Sequence, residues 1–158
     1  MIRRIFLVAT LLSMPAWAQS SRFEVGVKGG AGAFTDDPRA RGLIGVELCA
    51  WCSGRFALFG DYTYWPQLPS AHTAGAGVRI QKLGAWCFNA CFVDLGIAGF
   101  NGPFVNAAGT SNRGVGFIAG GGVKIPAGQH FYLRPQVRIY ALGSNSAVCA
   151  EVGVGWRF

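Results

Sequence analysis

Five cysteines, two histidines and a sparse set of charged residues are the side chains of this chain that could do chemistry. Cys49 and Cys52 stand at a Cys-x2-Cys spacing, and Cys87 and Cys91 at Cys-x3-Cys. Such spacings suit zinc ligation by thiolates or disulfide formation, the latter wherever the compartment is oxidising. Pairing within each segment and a bridge between the two segments are both open on spacing alone. Structural disulfides are preferred to zinc, and no metal site is assigned. Cys149 is left over and reads as an unpaired thiol. His72, with Ser70, Thr73 and Asp61 nearby, imitates a hydrolytic constellation. A nucleophile, however, needs a base within hydrogen-bond reach and a third group to orient it. Ser70 follows Pro69 in a turn, and His130 falls near the opposite end of the fold, so no catalytic residue is assigned. Gly114-x-Gly116-x-x-Ala119 fits a loose dinucleotide fingerprint, but a phosphate cradle requires a helix immediately after it, and none follows. No cofactor is assigned.

The elements that must position these residues are strands. Of 158 residues, 51% are hydrophobic and only 13% charged, which excludes a disordered chain. Glycine in a helix interior costs about 1 kcal/mol relative to alanine, so 24 glycines beside a 13% aromatic fraction favour pleated strands. Arg3 and Arg4, the apolar stretch from Ile5 to Met14, and Pro15-Ala-Trp-Ala18 form the three regions of a secretory signal peptide ending at Ala18. The apolar run is too short for a spanning helix, which needs about 20 residues. The domains are therefore read as a signal peptide over 1–18 and a β-barrel over 19–158. Removal of the two arginines lowers the formal charge from +7 to +5, a scattered excess that does not call for nucleic acid.

Period-two alternation marks strands over 22–34, 42–51, 55–65, 71–86, 91–101, 114–125, 130–141 and 147–158. Connections at 52–54, 87–90 and 126–129 read as tight, and those at 35–41, 66–70, 102–113 and 143–146 as longer. In every strand the charge keeps to one face. That face carries the acids Glu24, Glu47, Asp61, Asp94 and Glu151 and the bases Lys28, Arg79, Lys124, Arg134, Arg138 and Arg157, interleaved with glycine. A solvated surface carries more charge than this. Near-neutral pairing suits an enclosed interior, where an unpaired ion costs several kcal/mol. The charged face is thus placed inward and the apolar face outward, toward lipid. This predicts an all-β, eight-stranded antiparallel up-and-down transmembrane β-barrel after a cleaved signal peptide. Tyr62, Tyr64 and Trp65 at one end, and Trp156 and Phe158 at the other, read as interfacial girdles. Pro135, lacking a ladder donor, predicts a local bulge or kink.

The closing stretch Val152-Gly-Val-Gly-Trp-Arg-Phe158 resembles the terminal-strand signal read by the bacterial barrel assembly machinery, with Val152, Val154, Trp156 and Phe158 as the alternating positions. The run Gly120-Gly-Gly-Val-Lys-Ile-Pro126 and the following Phe131-Tyr-Leu-Arg-Pro-Gln-Val-Arg138 resemble the last hairpins of the small outer-membrane barrels that include OmpA and OmpX. The resemblance implies the outer membrane as location, and membrane lipid, lipopolysaccharide and the assembly machinery as partners of a monomer. Lipid-deacylating members of that superfamily pair a histidine with a nearby Ser-Asn on one strand, a pattern absent here. Since the fold hosts several functions, a structural, envelope or surface-interaction role with the lumen filled by a charge network is the leading expectation. The alternatives are a lipid-modifying enzyme, a narrow pore, and a soluble periplasmic barrel with an apolar ligand inside.

Overall fold

Alternation of β-branched and aromatic residues with charged residues and glycine produces strands throughout the computed structural model, which describes residues 23–35, 37–68, 71–84, 87, 90–102, 112–142 and 145–158. They are β1 (Glu24–Phe34), β2 (Asp37–Ala50), β3 (Phe56–Tyr64), β4 (His72–Gln81), β5 (Cys91–Gly102), β6 (Asn112–Val123), β7 (Ile125–Pro126), β8 (Phe131–Leu142) and β9 (Asn145–Arg157). Each pairs antiparallel with its neighbours in the order β6-β5-β4-β3-β2-β1-β9-β8-β7, and a β6–β8 ladder closes the sheet on itself. The short β7 continues the line of β6 past Lys124 and meets β8 in the same register. The barrel therefore has eight staves built from nine strands. The predicted signal peptide lies outside the described residues.

Closure removes the free edges that an open sheet would present, and it also fixes an inside. Along β8 exposed and buried residues alternate, with Phe131, Leu133, Val137 and Ile139 outward and Tyr132, Arg134, Gln136, Arg138 and Tyr140 inward. The wall exposes Val115 and Phe117 at 73% and 69%, whereas Arg79 and Asp94 are fully buried. Inward glycines make two kinds of room. A Cβ at Gly155 would run into the Tyr132 ring and one at Gly153 would press on the Arg134 guanidinium, whereas at Gly30, Gly77 and Gly122 it would strike a carbonyl of the adjoining strand.

Five expectations are corrected. The 35–41 and 143–146 loops are tight hairpins, because β1 and β2 stay paired as far as Phe34 opposite Asp37, with a register shift between Gly32 and Phe34, and β8 and β9 as far as Leu142 opposite Asn145. The connection at 82–90 is long rather than tight: Lys82 and Gly84 take positive φ (60° and 83°), which turns the chain out of the sheet after Gln81. Connection length therefore does not sort by end. Trp65 is not in the girdle; it is fully buried in the lumen against Phe34, at a ring separation of 5.0 Å. Pro135 causes no bulge in the β8–β9 ladder, whose register runs unbroken from Phe131 to Leu142. Its missing N–H coincides instead with the gap between β6 and β7 at Lys124.

Candidate functional site

The lumen holds three layers. At the end where Phe23 and Phe158 lie, the terminal end, Glu24 of β1 receives Lys124 Nζ at 2.5 Å and Arg157 Nε at 3.1 Å. Lys124 also donates to Gln81 Oε1, and Gln81 Nε2 donates to the Cys52 and Gly54 carbonyls at 2.7 and 2.8 Å. The Tyr132 ring lies beneath both cations, 5.3 Å from Lys124 and 5.7 Å from Arg157. Lys124 and Arg157 are the partly exposed members of the charged set; the other nine are buried.

The middle layer is an ionic network that crosses the barrel. Glu47 of β2 accepts from Arg79 at 2.7 Å, from Arg138 at 2.9 Å and from Arg134. Asp94 takes Arg79 in a two-pronged pair, both contacts at 2.7 Å, and Arg138 at 2.9 Å. Asp61 meets Arg138 at 2.5 Å and Lys28 at 2.6 Å, and Glu151 meets Lys28 at 3.1 Å and also accepts from Gln136. Glu47 and Asp61 are direct cross-strand partners. Like charges so placed repel, and Arg138 from the far wall bridges them. Arg79 is stacked between Phe59 and Phe92, at 5.7 and 4.3 Å, so its apolar faces are covered where its edges are paired. The Tyr140 hydroxyl donates to Asp61 at 3.1 Å and accepts from Lys28 at 3.1 Å, with Thr63 within reach.

Above this layer the lumen turns apolar. Phe34, Leu43, Trp65, Phe100, Ile118 and Leu142 pack into one cluster with Cys149, whose thiol is free and buried. Burial in this apolar setting leaves Cys149 without the exposure that reactive thiols require. Among the described residues the charge network thus occupies the middle and the terminal end of the lumen, and an apolar plug lies beyond it. Sequence reasoning missed the plug and the polar partners Gln81 and Thr63. Strand phase held the signal: Phe34 is in phase with Glu24 and Lys28, Leu43 with Glu47, Phe100 with Asp94 and Leu142 with Arg138.

The cysteines pair within their turns, Cys49 with Cys52 and Cys87 with Cys91, at Cα separations of 6.1 and 5.9 Å. Donor atoms of Glu24, Cys49 and Cys52 gather within 4.8 Å, a grouping a metal could use. The two sulfurs are already bonded to each other and the carboxylate is held by two cations, so these donors do not fit a zinc ion. His72 is separated from its supposed partners by the wall: it stacks outside on Tyr62 at 6.1 Å, whereas Thr73 and Asp61 are buried inside. Ser70 lies outside the described residues. His130, at the terminal end, holds the Arg157 carbonyl at 3.1 Å and stacks on Trp156 at 5.1 Å. Gly114, Gly116 and Ala119 lie within β6 and cradle nothing.

In the last strand Val152 and Val154 face outward, Trp156 packs edge-on against Phe131 at 4.4 Å, and Phe158 is 71% exposed. At the opposite rim, Asp37 accepts from Arg39 at 2.8 Å and Arg41 at 2.5 Å, above the apolar belt of β2. Hydrogen bonds from Arg39 first, then Arg41, hold its carboxyl well below the usual carboxylate range.

No family model and no curated protein sequence matches this chain. Solved structures do. Neisserial surface protein A superposes with a TM-score of 0.65 at 11% identity, over 89% of this chain and 98% of that one. The N-terminal β-barrel domain of Pseudomonas aeruginosa OprF gives 0.62 at 16%, over 85% and 97%. Ail, the attachment invasion locus protein of Yersinia pestis, solved with the heparin analogue sucrose octasulfate, gives 0.55 at 11%, over 89% and 100%. The fold is that of the small OmpA/OmpX-like outer-membrane barrels.

Proposed function

We propose that this chain resides in a bacterial outer membrane as a closed, non-enzymatic barrel with a structural, envelope-maintenance or surface-interaction role. The observation that carries the reading is the inverted partition of the wall, with eleven charged residues gathered inside and Val27, Ile44, Leu58, Ile97 and Phe117 exposed outside. In water such a belt would drive association, whereas in lipid it needs no partner. Two seals in series, the ionic network and the apolar plug, support a closed lumen over a pore. The separation of His72 from Thr73 and Asp61 argues against a lipid-modifying enzyme, and the filled lumen against an internal apolar ligand.

Export by residues 1–18, recognition of Val152, Val154, Trp156 and Phe158 by the barrel assembly machinery, a monomeric state, and contact with lipopolysaccharide at the rim opposite the termini belong to the same proposal. The test is fractionation followed by gel mobility with and without boiling. A detergent-extracted outer-membrane protein whose mobility changes on boiling supports the reading, and a soluble periplasmic protein with no such change refutes it. Planar-bilayer recording should show no conducting steps; steady unitary currents would replace the plug by a pore.

A further inference from the structure

Two neighbouring cations outside the lumen lie apart from any acid. At the terminal end, connections 51–55, 82–90 and 127–130 contain Arg55 and Lys82 and no Asp or Glu. Glu24, the carboxylate at that rim, is buried and held by Lys124 and Arg157. At the opposite rim Asp37 pairs with both Arg39 and Arg41, and Arg113 donates to Asn101 Oδ1 at 2.9 Å. Pairing of β3 with β4 sets Arg55 beside Lys82: Phe56 faces Ile80, the Gln81 amide donates to the Arg55 carbonyl at 2.9 Å, and Lys82 Nζ donates to the Ser53 carbonyl at 2.6 Å. Both cations are exposed, and neither has a carboxylate partner among the described residues. Trp51, in the same turn as Arg55, and Phe56, next to it in the chain, are exposed at 55% and 64%. The Cys49–Cys52 disulfide spans Trp51, whose φ of 57° places it in the left-handed region, and so fixes the turn that presents the indole. Aromatic rings and long cationic side chains at the margin of an apolar belt stand at the depth of lipid headgroups.

We propose that Arg55, Lys82 and Trp51 form a binding site for the phosphate of an anionic phospholipid headgroup in the leaflet at the terminal end. The site rests on the membrane reading above. Two cations without an anion favour a headgroup of net negative charge, whereas a zwitterionic headgroup brings an ammonium that they repel.

The purified full chain, folded in dodecylmaltoside micelles, is titrated with phosphatidylglycerol and with phosphatidylcholine, and bound lipid is counted by native mass spectrometry. At low salt phosphatidylglycerol should bind about tenfold or more tightly, and R55Q/K82Q should lose about fivefold per residue, the effect of one basic residue near an anionic surface. Arg113→Gln, at the opposite rim, should keep the preference. A chain with no boiling-sensitive band would refute the barrel and this site together. A folded barrel with equal affinity for both lipids, or a preference that survives R55Q/K82Q, overturns the site and leaves the barrel standing. Retention on purified murein sacculi that depends on Arg55 and Lys82, without lipid selectivity, assigns the rim to peptidoglycan and likewise overturns it.

Discussion

Glu47→Gln should be the most damaging isosteric change in the lumen. Its carboxylate accepts from three guanidiniums, Arg79, Arg134 and Arg138, and is almost fully buried. The consequences for the three differ. Arg79 keeps its two-pronged pair with Asp94, and Arg138 keeps Asp61 and Asp94. Arg134 has Glu47 as its one ionic partner among the described residues, so the substitution strands a buried guanidinium. Removing one member of a buried pair costs about 3–5 kcal/mol, because the survivor stays desolvated and uncompensated. The amide keeps one acceptor, so a loss of about 3 kcal/mol is expected. Urea unfolding of the micelle-folded protein, followed by tryptophan fluorescence and by the unboiled gel band, measures it. If the stranded charge is the cause, Arg134→Met added to Glu47→Gln should recover more than half of the loss, a coupling visible in a double-mutant cycle. A loss under about 1 kcal/mol, or a double variant no better than Glu47→Gln alone, refutes the reasoning.

Gly155→Ala places a methyl group against the buried Tyr132 ring and should destabilise the barrel by about 1–3 kcal/mol in the same urea assay; an unchanged midpoint would show that the ring moves aside freely. Without reductant, Cys149 should resist maleimide in the folded protein and become the single labelled thiol after denaturation, as read by intact mass; labelling of two or more thiols would contradict the turn disulfides. The Asp37 carboxyl should titrate below the ordinary carboxylate range by carbon-detected NMR. Because its folded pKa is the lower one, the Asp37 contribution to the hairpin is present above the unfolded pKa of about 4 and is lost as pH falls through the folded value. A titration midpoint at or above about 4 would remove that pairing.

The β class, the antiparallel order and the face on which each charge sits follow from period two, a local property legible in each strand. Glu24 and Lys28 against Val25 and Val27, or Arg134 and Arg138 against Leu133 and Val137, already define two faces. Near-neutral charge even indicated which face is enclosed, since desolvated ions must balance. Connection lengths were less legible, because 35–41 continues a hairpin and positive φ at Lys82 and Gly84 ends β4 early; these depend on backbone choices that hydrophobic patterning does not encode. Partnership across the lumen was not legible at all. Arg138 reaches Asp61 and Glu47 across 77 and 91 residues of chain, and Trp65 leaves the expected girdle to join Phe34 inside. Sequence by itself therefore determined strands with one charged and one apolar face, because alternation is set residue by residue, and the near-neutral charge pointed to the charged face as the inner one. Only the tertiary structure decided which cation meets which carboxylate and where charge gives way to the apolar plug, because closure and stagger of the staves set the height at which opposite walls meet.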